Sequence, residues 1–238
     1  MKKRYLFIIV ILLSVLSLFV GVSSISPKDL LNMQSEEMEI FLMSRVPRLL
    51  AIVLAGAGMS IAGLIMQQLS RNKFVSPTTA GTLDATRLGI LVSMLLFAGA
   101  TTFQKMAVAF VFALAGTFLF MQILSRIKFK DAIFIPLVGL MFGSILSSIT
   151  PFFAYKANVI QNISTWLQGD FSMIMQGRYE LLFVSIPVIV VAYLFANRFT
   201  VAGMGEEFAK NLGIAYKQVV NIGLVLVAVV CGGCFPLF

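Results

Sequence analysis

The reactive groups of this chain make a short list. Cys231 and Cys234 are three apart, the spacing of redox and metal-binding pairs, and they are the only 2 cysteines among 238 residues. Histidine is absent. Its absence removes imidazole acid–base catalysis, imidazole metal ligation and Ser–His nucleophiles in one step. A lone CxxC with no second pair and no redox fold around it matches by chance. We read it as spacing without a site. The other candidates are charged: Arg45 and Arg48 flanking Pro47, Asp84 and Arg87 three apart, and Glu206–Glu207 ahead of Lys210. Guanidinium forks suit bidentate contacts to carboxylates, so this chemistry is recognition. The sequence therefore predicts no enzyme, with no catalytic residue, no metal site and no cofactor of its own.

The elements that must hold these groups are set by composition. Hydrophobic residues are 59% of the chain, charged residues 12%, and mean hydropathy is +0.98. A soluble domain carries roughly 25% charged residues, so this one lacks the side chains to wet its surface. Apolar runs of about 20 residues, enough to cross a bilayer core as helix, recur along the chain. They fall at 5–22, 49–69, 86–100, 106–124, 132–154, 181–196 and 218–238. The expectation is an all-α, polytopic transmembrane bundle of about seven spans, forming a single membrane domain over residues 1–238. Lys2-Lys3-Arg4 followed by an apolar run resembles a signal peptide. The run is too long for a secretory h-region and lacks an A-x-A site, so it reads as an uncleaved first helix.

Charge orients the bundle. With a cytoplasmic N-terminus, seven alternating passes put 12 of the 18 basic residues on one side, among them Arg71, Lys73, Arg126, Arg198, Lys210 and Lys217. Arg45, Arg48, Lys105 and Lys156 are among the other 6. The positive-inside rule makes the first side cytoplasmic. The net charge of +8 then serves membrane orientation, not nucleic-acid binding, and lipid is the surrounding solvent.

Small residues indicate where helices meet. Gly56, Ser60 and Gly63 recur along the second span, and Gly139, Gly143 and Ser147 along the fifth. Close backbone approach over small side chains is what packs helices in lipid. Three connections are richer than linkers. Outside, Arg45 and Arg48 oppose the orientation bias, which favours an acidic protein partner over headgroup snorkelling. On the cytoplasmic side, residues 67–89 mix Asn72, Ser76, Pro77, Thr78 and Gly81 at membrane depth. Such backbone survives only where protein or water covers it, and Asp84 and Arg87 are placed to pair on one helix face. Also cytoplasmic, Gly205 to Gly213 reads as a short helix with acidic residues first and a glycine stop. Glu206 and Glu207 would be repelled by anionic lipid, so it needs a protein partner; Ala209 and Leu212, three apart, share its expected docking face.

The order of these motifs resembles the FecCD family, permeases of bacterial ABC importers for iron–siderophores and cobalamin. The resemblance rests on RVPRLLAIVLAGAGMSIAGLIMQQLSRN (Arg45 to Asn72), SPTTAGTLDATRLG (Ser76 to Gly89), the outer Trp166-Leu167-Gln168-Gly169 and GEEFAKNLG (Gly205 to Gly213). NKFVSPTTAGTLD looks most like the ferric-siderophore branch. The resemblance implies a permease importing a ferric siderophore across the cytoplasmic membrane. ATP would be bound and hydrolysed by cytoplasmic ATPase subunits, beside a second permease, identical or paralogous. An extracytoplasmic binding protein would dock its glutamates on Arg45 and Arg48. The ATPase would receive the coupling helix carrying Gly205, Glu206, Glu207, Ala209, Leu212 and Gly213.

Family members have about ten spans and continue past the seventh with a segment that Cys231 to Phe238 does not resemble. The expectation is a C-terminally incomplete permease, and an inactive fragment or a non-catalytic membrane assembly protein is the alternative reading. Other classes fit worse. Intramembrane proteolysis wants a Ser–His pair, and an ion-coupled secondary transporter wants repeated halves and charged span centres.

Overall fold

The computed structural model describes residues 3–19, 41–97, 99, 101–127, 134–157, 183 and 185–234. All regular structure among them is helical: α1 (Lys3–Phe19), a π turn (Phe41–Arg45), α2 (Val46–Ser70), α3 (Thr82–Leu96), α4 (Thr102–Arg126), α5 (Phe134–Lys156), α6 (Ser185–Leu194), α7 (Ala196–Met204), α8 (Glu206–Asn211) and α9 (Tyr216–Cys234). Among the described residues each expected span overlaps a helix, although the third expected span, 86–100, outruns its helix, which ends at Leu96. Among the described residues, four stretches are long and apolar enough to cross a membrane: Phe41–Ser70, Thr102–Arg126, Phe134–Lys156 and Tyr216–Gly233. The sixth expected span departs from its predicted end. It runs on through α7 after a bend of 53°, giving a broken pair in place of one straight helix ending at 196. At 15 residues, α3 rises only about 22 Å, short of a bilayer core.

The chain forms two compact units, residues 1–53 with 171–180 and residues 54–170 with 181–238. In the first, α1 presents nearly all its apolar side chains outward, as a lipid-facing helix does.

In the second unit, α3 packs on α4 and α5, and α9 on α4. Small residues carry these contacts. Gly89 lies against Ala109 and Phe112, and Gly116 against Ala85, so α3 and α4 approach backbone to backbone. Across that seam the buried hydroxyls of Thr82 and Thr117 are 3.0 Å apart. Thr117 also donates to the Ala113 carbonyl at 2.7 Å and Thr86 to that of Thr82 at 2.8 Å, which satisfies hydroxyls that lipid could not. Gly223 of α9 meets Ile65 and Leu69 of α2, and Gly232 meets the backbone of Phe110.

The two predicted glycine stripes fare differently. Gly139 and Gly143 of α5 are buried against the segment 79–84, as expected, while Ser147 beside them is exposed. The α2 stripe does not pack within the described chain. Cβ atoms on Gly56 or Gly63 would meet nothing within 4 Å, and Ser60 spends its hydroxyl on the Gly56 carbonyl at 2.7 Å. Small spacing marks where a close approach is allowed; it does not say that a partner arrives.

Candidate partner-docking sites

The connection from α2 to α3, residues 71–81, is irregular and partly buried, with Asn72, Val75, Pro77, Ala80 and Gly81 inside and Arg71, Lys73, Phe74 and Thr78 exposed. Side chains replace the missing ladder. Asn72 Oδ1 accepts from Phe74 N at 2.9 Å, Thr79 Oγ1 from Ser76 N at 2.8 Å, and Ser76 Oγ from Thr79 N at 3.2 Å. Residues with short polar side chains are what such a turn needs. Gly81 closes it at φ 72°, a left-handed conformation that a Cβ disfavours. The protein therefore covers part of this backbone. Asp84 and Arg87 pair at 3.4 Å, as their spacing predicts.

Arg45 ends the π turn, and α2 starts at the next residue. Pro47 sits in the first helical turn, where its missing N–H breaks no helix bond. The two arginines of the motif differ in exposure. Arg45 is buried, with 8% of its surface accessible, whereas Arg48 is exposed. Of the two, Arg48 is the one the chain leaves accessible.

At the other site, Gly205 and Gly213 frame α8. Gly205 separates α7 from α8 at φ 136°. Gly213 stands at φ 75° after the helix end, with Gly213 N bonded to the Lys210 carbonyl and Ile214 N to the Ala209 carbonyl, both at 2.9 Å. That pair of bonds is a Schellman stop, and it favours glycine. The predicted glycine-ended helix is present, with Glu206 and Glu207 in its first turn and Lys210 in its last, matching its dipole. Lys210 donates to Glu206 at 2.9 Å. The contact holds the Glu206 carboxyl below its usual range and the Lys210 ammonium above its own.

The expected docking face of α8 needs correction. Ala209 is fully buried in the chain's own packing, while Leu212 is 57% exposed, so the two do not share an outward face. The outward partner of Leu212 is Phe208, four residues earlier and 51% exposed. A six-residue helix has one side for its own protein, and the smallest apolar residue takes it. Sequence reasoning passed over Phe208, though its i, i+4 spacing to Leu212 was a readable signal. The expected outer motif at Trp166 to Gly169 lies outside the described residues.

Comparison with known proteins places this architecture. The model of the FecCD transport family matches residues 8–237. The petrobactin import system permease protein YclN of Bacillus subtilis is 63% identical, the match covering 97% of this chain and 73% of that one. The ferric-anguibactin transport system permease protein FatD of Vibrio anguillarum is 41% identical over 90% and 68%. A solved metal-chelate type ABC transporter in an inward-facing conformation shares the fold, with a TM-score of 0.78 at 19% identity over 98% and 74%. The chain belongs to the FecCD transport family.

Proposed function

We propose that this chain is the membrane permease subunit of an ABC importer that moves a ferric siderophore across the cytoplasmic membrane, with ferric petrobactin as the cargo. The observation that carries the reading is the 63% identity to a petrobactin import permease along nearly the whole chain. The permease contributes no catalytic group and no cofactor. ATP is hydrolysed on cytoplasmic ATPase subunits, and closure of those subunits shifts the helices between outward and inward states. The N-terminus is cytoplasmic, as the distribution of basic residues favours. A second permease, identical or paralogous, completes the pore.

Arg48 meets carboxylates of an extracytoplasmic binding protein, with Arg45 supporting the motif from inside. On the opposite side α8 enters the ATPase surface, led by Phe208 and Leu212, with Gly205 and Gly213 fixing its angle and Glu206 and Glu207 at its head. Uptake of iron-55 as ferric petrobactin tests the reading. A strain lacking this chain should lose uptake, and supplying the chain with its partner subunits should restore it. Unaltered uptake without it, or restoration only of an unrelated chelate, overturns the cargo assignment.

A further inference from the structure

A cavity of about 770 Å³ opens in the second unit among the ends of α2 and α4 and the starts of α5 and α9. Leu69, Phe118 and Leu224 give it an apolar wall, while Arg71, Tyr216 and Lys217 stand on its rim. Arg71 follows the last residue of α2 at φ 53°, a left-handed conformation uncommon for a residue with a side chain. Its guanidinium donates to the Tyr216 hydroxyl at 3.3 Å and lies 5.8 Å from that ring's centroid. This fixes the group on the cavity rim and uses few of its five N–H donors. Lys217 is exposed beside it, with no ion pair among the described residues. Glu206 also lines the cavity; Lys210 engages its carboxylate at 2.9 Å, and Lys217 and Arg71 act on it from further away, so one carboxylate faces two cavity cations and Lys210. The rim is therefore net positive over an apolar floor.

We infer that this cavity binds an anionic phospholipid, its phosphate on Arg71 and Lys217 and the start of an acyl chain along Leu69, Phe118 and Leu224. The bilayer is the solvent at the ends of these helices, so an amphiphile reaches the cavity without crossing water. A free anion would leave the apolar wall unused, and an acidic protein side chain would meet only the rim. A zwitterionic lipid brings its own cation toward two like charges. Basic pockets between spans on the cytoplasmic side are suited to anionic headgroups.

The test uses the purified chain in nanodiscs of phosphatidylcholine with and without phosphatidylglycerol, read by melting temperature and by the phosphatidylglycerol that co-purifies. Phosphatidylglycerol should raise the melting temperature of the parent. The double variant Arg71→Gln/Lys217→Gln should lose most of that rise and retain about tenfold less lipid. Lys73→Gln/Arg198→Gln, which removes the same charge away from the cavity, should keep both effects. Equal responses in the two double variants overturn the site. So does a rise reproduced by soluble glycerol phosphate in phosphatidylcholine discs, which would assign a free anion. Should Arg71→Gln/Lys217→Gln fail to fold, Lys217→Gln alone is read the same way. The proposal rests on membrane embedding and not on the cargo, so loss of the petrobactin reading would leave these responses unchanged.

Discussion

Gly143 of α5 lies so close to Asp84 of α3 that a Cβ on the glycine would sit 2.7 Å from the carboxylate Oδ2. One turn away, a Cβ on Gly139 would run into the backbone carbonyl of Thr79. The partly buried loop before α3 and the ion-paired head of that helix are thus seated on two glycines. The fit joins the irregular segment, which membrane depth makes expensive to expose, to a helix that covers it.

Gly139→Ala should therefore destabilise by about 1–3 kcal/mol, because a backbone carbonyl cannot swing aside as a side chain can. Gly143→Ala should cost less, since it displaces the Asp84 carboxylate and not the main chain. Gly56→Ala meets open space and should be neutral or slightly stabilising through helix propensity. Melting temperatures of the purified variants in detergent check the order. Equal losses at positions 56 and 139 would show that α5 does not seat the loop in this way.

The helices were legible because apolar length acts locally and recurs along the chain. Gly213 was legible because a helix stop needs one residue type. Ala209 was misread because i, i+3 spacing names two residues on one face without saying which side of a short helix turns inward. The α2 stripe was misread for the same reason: Gly56 and Gly63 permit an approach that no described helix makes. The Thr82–Thr117 seam joins residues 35 apart in sequence, and no local pattern carries it.

The outer arginines should separate in experiment. Arg48→Glu should leave the amount of membrane-inserted permease unchanged and reduce siderophore uptake by tenfold or more, because it sets like charge against the binding protein. Arg45→Glu should lower the amount of folded protein, since it reverses the charge of a residue only 8% exposed. Uptake and immunoblotted membrane fractions read both effects. Normal uptake by Arg48→Glu would remove this residue from the docking surface.

Topology can be checked at two exposed lysines. With Cys231 and Cys234 replaced by alanine, Lys156→Cys should react with an impermeant maleimide from outside intact cells. Lys210→Cys should react only after the membrane is opened. Both side chains are exposed in the chain itself, so in cells lacking the ATPase subunits failure to label reports sidedness and not burial. The reverse pattern would invert the orientation and exchange the two docking assignments.

The Glu206–Lys210 contact predicts a pH window for α8. The lysine's hydrogen bond, then its charge, holds the Glu206 carboxyl below its ordinary value. That stabilisation is complete above the ordinary glutamate value and is lost as pH falls through the depressed one. Lys210 is raised by the same partner, so its share is complete below the ordinary lysine value and is lost as pH rises through the raised one. Across neutral pH the pair is fully formed, and because both groups are exposed its effect is small. Amide exchange over residues 206–213, corrected for intrinsic rate, should quicken on acidification in the parent and not in Glu206→Gln. An identical acid response in that variant would assign the loosening to another group.

The last prediction separates docking from folding within α8. Phe208 and Leu212 face outward at i, i+4, whereas Ala209 is fully buried. Isolated helices below about 12–15 residues are marginal in water, so a six-residue helix depends on its glycine frame and on what covers its apolar side. Phe208→Asp should place a charge at the centre of the proposed ATPase contact, where losing one large apolar anchor removes 2 kcal/mol or more. The permease should still insert and melt as the parent does, while ATPase co-purification falls at least about thirtyfold, the equivalent of that loss. Ala209→Asp should behave differently. It buries a carboxylate inside the permease itself, so the melting temperature should drop before any partner is added. Leu212→Asp should follow Phe208→Asp. If Phe208→Asp and Leu212→Asp both kept the ATPase and parental uptake, α8 would not be the coupling element, whatever Ala209→Asp did to stability.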